Sequence, residues 1–131
     1  MSPDLMPNPK VLIVEDDASV REGLIDFLTL KGFDPRGSIH GQDALSQLEA
    51  GFEPDLILMD LMMPVMDGWQ LRQALKKSAQ WSKIPILVAS AAGEETPASL
   101  RVDGILPKPL NLEHLTEYTF QALERSKARR F

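Results

Sequence analysis

Residues 55–68 read DLILMDLMMPVMDG. After its leading acid, Asp55 to Met59 is a continuous apolar run, the composition of a strand buried on both faces of a sheet. It stops abruptly at a second acid, Asp60, and gives way to a Met- and Pro-containing loop that closes on Asp67-Gly68. The same signature recurs on either side. Lys10 to Val14 (KVLIV) is apolar after its lysine and ends in Glu15, Asp16 and Asp17. Ile84 to Ala89 (IPILVA) is apolar and ends in Ser90.

The stretches between these runs carry helical spacing. Val20, Leu24, Phe27 and Leu28 repeat with the period of one helix face, ahead of a terminating Gly32. Asp17 is placed to cap that helix. Gln42 to Ala50 predicts a short helix with Ala44, Leu45 and Leu48 inward, closed by Gly51. Trp69 to Ala79 predicts a third, carrying Leu71, Ala74 and Leu75, with Trp69 and Trp81 packing at its ends. Leu112 to Arg129 predicts a final helix with Leu112, Leu115, Thr119, Ala122 and Leu123 on one face and Asn111 as N-cap. Two weaker strands are expected, Asp34 to Ile39 and Gly104 to Pro107. Pro35 and Pro107 cannot donate a ladder hydrogen bond, which places both strands at sheet edges. Around Pro97 there is room for one or two helical turns. The pattern is α/β: five strands alternating with five helices, the fourth shortened, in a parallel sheet with helices on both sides.

Composition narrows the function classes. The chain has 131 residues, enough for one domain, and its formal net charge is -5. An acidic chain is a poor default binder of nucleic acid or of anionic membranes. The basic residues Arg125, Lys127, Arg129 and Arg130 read as a solvated helix end, favoured by the helix dipole. There are no cysteines, which excludes disulfides and thiolate metal sites and is compatible with a cytoplasmic location. No apolar run reaches membrane-span length. The opening MSPDLMPNPK has neither the basic nor the apolar region of a signal peptide. Residues 1–9, with three prolines, are expected to be a flexible lead-in to one domain over 10–131.

In a parallel sheet the residues that end each strand project from one edge, where ligands bind. Here that edge would gather Glu15, Asp16 and Asp17, then Asp60, Ser90 and Lys108. Crowded carboxylates need a cation or raised pKa values. An oxygen-only donor set with no cysteine and no nearby histidine suits a hard ion such as magnesium. A carboxylate beside such an ion can act as a nucleophile towards phosphorus, with lysine and hydroxyl taking up the remaining oxygens. Taken alone, Asp60 would read as a solvated loop acid; the convergence on one edge gives it the chemical reading. His40 and His114 stand apart and read as solvated.

The segments VLIVEDD, DLILMDLMMPVMDG, PILVASA and LPKP are similar, in order and spacing, to a receiver domain of the two-component response regulator family. The resemblance runs from about Lys10 to the end of the last helix. It implies a flavodoxin-like doubly wound sheet of strand order 2-1-3-4-5. It implies that Asp60 is the phosphoacceptor and that Glu15, Asp16, Asp60 and the backbone carbonyl of Met62 hold Mg2+ or Mn2+. Ser90 and Lys108 would contact the phosphoryl group, and Lys108-Pro109 would be a cis peptide. Gly68 would supply a permissive backbone angle, and Ala91 would leave room for a donor. The implied partners are a sensor histidine kinase or a histidine phosphotransfer protein upstream, and a downstream protein or attached effector domain.

Two departures from the family pattern, and the side chains at two positions that tune hydrolysis in the family, shape further expectations. The stretch from Ser90 to Lys108 is short by about one helical turn. Ile105 stands where a Tyr or Phe usually partners Ser90 in the switch, so the output face is expected to be remodelled. Met62 and Ala92 flank the route for attacking water without a side-chain hydrogen bond to hold it, so slow self-dephosphorylation is expected. Two other functions compete. An aspartate-nucleophile phosphohydrolase would carry a second Asp two places after Asp60, where Met62 stands. A degenerate receiver serving only as a docking module would be expected to lose Asp60, Lys108 or the acidic pair, and all are present.

Overall fold

The computed structural model describes residues 8–91 and 101–129. In chain order these form β1 (Lys10–Val14), α1 (Ala18–Leu30), β2 (Asp34–Ser38), α2 (Gly41–Glu49), β3 (Leu56–Asp60) and α3 (Gly68–Lys76). A single 3-10 turn (Trp81–Lys83) follows, then β4 (Ile86–Ser90), β5 (Gly104–Pro107) and α4 (Leu112–Arg129). The five strands are all parallel, in the order β2-β1-β3-β4-β5. Strand number and order are as expected from the sequence. The short helix expected around Pro97 lies outside the described residues.

The apolar runs behave as their composition dictates. Every residue of β3 and β4 is buried, as are all but the first of β1. Alternate strand residues feed two separate cores. One lies under α2 and α3 and includes Leu12, Val14, Ile57, Met59 and Val88 with Leu71 and Leu75. The other lies under α1 and α4 and includes Val11, Ile13, Leu58, Leu87 and Leu106 with Leu28, Leu115 and Ala122. Trp69 and Trp81 pack against the first. Pro35 and Pro107 sit on the edge strands β2 and β5.

Turn chemistry ends the helices where expected. Asp17 caps α1 by accepting from the Val20 N–H at 3.1 Å. Asn111 accepts from the Glu113 and His114 N–H groups at the start of α4. Gly32 and Gly51 both take left-handed backbone angles, φ +92° and +106°, which only glycine adopts without cost.

Several expectations are corrected. Strand β4 starts at Ile86, because the Ile84 N–H closes the 3-10 turn on the Trp81 carbonyl at 3.1 Å. Val20 and Leu112 are each 42% exposed, not inward. Both sit in the first turn of a helix that follows a strand, where the helix still projects beyond the carboxyl edge of the sheet. His40 is not merely solvated: its Nδ1 accepts the Asp43 N–H at 3.1 Å and caps α2. Arg125 is more than a solvated helix end, since its Nη2 donates to the Asp103 carbonyl at 2.8 Å.

Candidate functional site: the carboxyl edge of the sheet

Register brings the distant residues together. Val14 pairs with Met59, Asp60 with Ala89, and Ser90 with Pro107. The residues at or just past these positions therefore share one edge: Glu15 and Asp16 after β1, Asp60 ending β3, Ser90 ending β4 and Lys108 after β5. Continued backbone bonds past the strand ends hold them there. The Glu15 N–H donates to the Ser38 carbonyl at 3.0 Å, Leu61 to Ala89 at 3.0 Å, and Lys108 to Ser90 at 2.9 Å.

One carboxylate oxygen from each of Glu15, Asp16 and Asp60 lies within 4.8 Å of the other two. Glu15 and Asp60 are buried, whereas Asp16 is exposed. Lys108 Nζ stands 2.6 Å from Asp60 Oδ2 and 3.9 Å from Glu15 Oε1. A charge-assisted contact of that length is strong, and at a buried carboxylate it offsets part of the desolvation cost. The Met62 N–H reaches Asp60 Oδ1 at 3.4 Å. The Met62 side chain points outward, 60% exposed, which leaves only its backbone beside the acids. Ser90 is buried at the end of β4 and Ala91 is half-buried beyond it. The Lys108-Pro109 peptide is cis. Ile105 is exposed on β5, paired in register with Val88. Ala92 lies outside the described residues.

The electrostatics follow from the crowding. Burial pushes the Glu15 carboxyl above its ordinary range, and the charge of Asp60 and a hydrogen bond with the Asp16 side chain push the same way. The Asp17 N–H, donating to Glu15 Oε2 at 3.0 Å, and the Lys108 ammonium pull it back. The donor set is oxygen only and carries more negative charge than Lys108 can balance. That is the chemistry of a hard divalent cation, and Glu15, Asp16 and Asp60 fit one.

Gly68 is needed for a reason other than the one expected. Its backbone angle is not left-handed; only Gly32 and Gly51 among the described glycines are. A Cβ on Gly68 would instead lie 2.7 Å from the Asp60 carbonyl oxygen and 3.0 Å from Leu61 Cα. The start of α3 is pressed against the backbone that carries Asp60, and its N–H bonds the Leu61 carbonyl at 2.8 Å. Next to it, Asp67 and Gln70 form a reciprocal capping box. Its D-x-x-Q spacing is the signal in the sequence that marks this helix start.

A doubly wound sheet of this strand order with an acidic carboxyl edge is the architecture that receivers of two-component signalling share. The chain belongs to the response regulator receiver domain family, whose model matches residues 11–120. It is 34% identical over 121 residues to a transcriptional regulatory protein CpxR homolog of Haemophilus influenzae, covering 89% of this chain and 51% of that protein. It is 33% identical over 120 residues to the response regulator MprA of Mycobacterium avium, covering 90% and 52%. The chain thus spans about half the length of these curated relatives. Among solved structures, a sensor protein from a Polaromonas species superposes with a TM-score of 0.83 at 29% identity, covering 92% of this chain and 99% of that one. The function these relatives support is that of a signalling receiver. Among the described residues no helix is long and apolar enough to cross a membrane.

Proposed function

We propose that this receiver takes a phosphoryl group onto Asp60 in a reaction that requires Mg2+ or Mn2+. The observation that carries the reading is the position of Lys108 Nζ, 2.6 Å from Asp60 Oδ2, beside a carboxylate that also clusters with Glu15 and Asp16. An Asp60 oxygen would attack phosphorus, and the bond from phosphorus to the donor's imidazole nitrogen would break, leaving that electron pair on the imidazole. Lys108 would pair with an oxygen of the incoming group, and Ser90, which ends the adjacent strand, would take another; the register of Ser90 with Pro107, next to Lys108, supports this. Glu15, Asp16, Asp60 and the Met62 carbonyl would hold the cation, which supplies neutralising charge when bound.

The donor is a histidine kinase or histidine phosphotransfer protein, and the output is a downstream protein or attached effector domain. The acidic net charge supports protein partners over direct contact with nucleic acid or membrane, and the lack of cysteine is compatible with a cytoplasmic setting. The working unit is residues 10–131, with 1–9 as a lead-in. The product is an altered conformational equilibrium read through Ser90 and Ile105, not catalytic turnover.

The test is intact-protein mass after incubation with acetyl phosphate and Mg2+. Wild type gains one phosphoryl group, Asp60→Ala gains none, and omission of the cation prevents the gain. Equal labelling of Asp60→Ala would remove Asp60 from the account. Phosphoryl loss should also be slow, because the exposed Met62 offers no hydrogen bond to a water. Met62→Asn should speed hydrolysis by up to about tenfold, the rate equivalent of one hydrogen bond; an unchanged half-life would contradict this.

A further inference from the structure

Arg21 lies on the first turns of α1, behind the acidic loop. Its Nη1 donates to the Glu15 carbonyl at 2.7 Å and reaches the Asp16 carbonyl at 3.5 Å. These are backbone oxygens. Among the described residues it forms no ion pair with the carboxylates of Glu15, Asp16 or Asp60. Its stem lies flat on β2: a Cβ added to Gly37 would come within 2.9 Å of Arg21 Cδ and 3.2 Å of Cγ. Gly37 is fixed in turn, since its carbonyl accepts from Gln47 Nε2 at 3.0 Å. The side chain is thus clamped, its stem against an edge strand and its guanidinium on the turn that presents two of the three acids.

We propose that Arg21 is the positioning residue of the cation site. It fixes the main chain at Glu15 and Asp16 so that their side chains converge on Asp60. Its charge is satisfied by carbonyls, which leaves the carboxylates available to a divalent ion. One nitrogen, Nη1, serves both carbonyls, firmly at Glu15 and at its limit at Asp16, and the guanidinium carries it to them on a rigid, always-charged plane. Gly37 is part of the same device, because any side chain there displaces the stem. This rests on the phosphoacceptor reading above, since it concerns the same cation.

The test is the Mg2+ dissociation constant of the full chain, read from amide shifts at Glu15, Asp16 and Asp60, with melting temperature measured alongside. Arg21→Met keeps the stem and removes the donors; it should weaken Mg2+ binding by about tenfold, the lower end of what orienting groups around metal ligands contribute. Arg21→Lys should fall between Arg21→Met and wild type. Gly37→Ala should weaken binding in the same direction, and adding it to Arg21→Met should cost little more, since both break one contact. Leu123→Ala, in the far core under α4, should melt earlier yet bind Mg2+ as wild type does. If Arg21→Met fails to fold, Arg21→Lys and Gly37→Ala decide the matter. Variants that bind Mg2+ as tightly as wild type overturn the role of Arg21 alone. A wild type that shows no shift at the three acids overturns the cation site and this inference together.

Discussion

The two ends of the sheet use aspartate in opposite ways. At the amino edge, Asp55 precedes β3 and its Oδ2 accepts the Lys10 N–H of β1 at 2.8 Å, while its own N–H returns to the Lys10 carbonyl at 2.8 Å. Asp103 repeats the arrangement before β5. Its Oδ2 accepts the Ile86 N–H of β4 at 2.8 Å, and its N–H donates to the Ile86 carbonyl at 2.7 Å. Each carboxylate there is matched to a backbone donor and extends a strand pairing by one step. At the carboxyl edge three acids face one another across less than 5 Å with a single lysine among them. The same residue type secures the fold at one end. At the other, the crowding falls on Glu15, whose charged form is disfavoured by burial and by its acidic neighbours.

This contrast can be broken from either side. The largest effect is expected at the amino edge. Asp103→Ala leaves a part-buried strand donor without its acceptor and should cost about 1–3 kcal/mol of unfolding free energy, with the more exposed Asp55→Ala nearer 0.5–1.5 kcal/mol. Denaturant titration measures both. A loss from Asp103→Ala no greater than that of an ordinary surface substitution would dissolve the distinction.

At the carboxyl edge the sign reverses. The folded protein holds the Glu15 proton more tightly than the unfolded chain does, because burial and neighbouring acids raise its pKa. Protonation therefore favours folding. Metal-free stability is lost as the pH rises from the ordinary carboxyl value of 4.5 through the raised folded-state value. Glu15→Gln should raise the melting temperature in neutral buffer, because the amide is never charged. In mildly acidic buffer the difference should shrink. A variant less stable than wild type at neutral pH would show that crowding does not burden this edge.

Backbone strain adds a smaller burden at the same end. Val65, at the tip of the loop after Asp60, has φ +65°, an outlier for a β-branched residue. The Met66 N–H closes on the Pro64 carbonyl at 2.7 Å around it, a three-residue γ-turn. A left-handed non-glycine residue costs about 1–2 kcal/mol, and glycine's extra chain entropy costs about 0.5–1 kcal/mol. Val65→Gly should therefore stabilise the protein by roughly 0.5–1 kcal/mol. Destabilisation on thermal melting would mean that Val65 makes compensating contacts.

How far the sequence could be read follows the same division. Runs such as KVLIV and LILM announce strands because burial on both faces leaves no room for polar alternation. Pro35 and Pro107 place the edges because a missing N–H is a local fact. The strand-end acids were legible because parallel topology converts chain position into spatial position. What escaped depends on contacts between distant segments. That Gly68 is needed for its closeness to the Asp60 carbonyl, that Arg21 reaches back to the Glu15 carbonyl, and that Asp55 and Asp103 close neighbouring strands are all tertiary facts. Val20 and Leu112 show the limit of periodicity, which marks a helix face without saying where the sheet beneath it stops.

The claim beneath all of this is that one pocket, built from four strand ends, receives both the cation and the phosphoryl group. The direct measurement is a titration of the isotope-labelled chain with Mg2+ followed by beryllofluoride, a stand-in for the phosphoryl group. Amides at Glu15 to Asp17, Asp60 to Met62, Ser90, Ala91 and Lys108 should move together, first with the ion and again with the mimic, while those beside Asp55 and Asp103 stay put. Shifts centred on the amino edge, or a second titrant that leaves Ser90 and Lys108 unmoved, would contradict it.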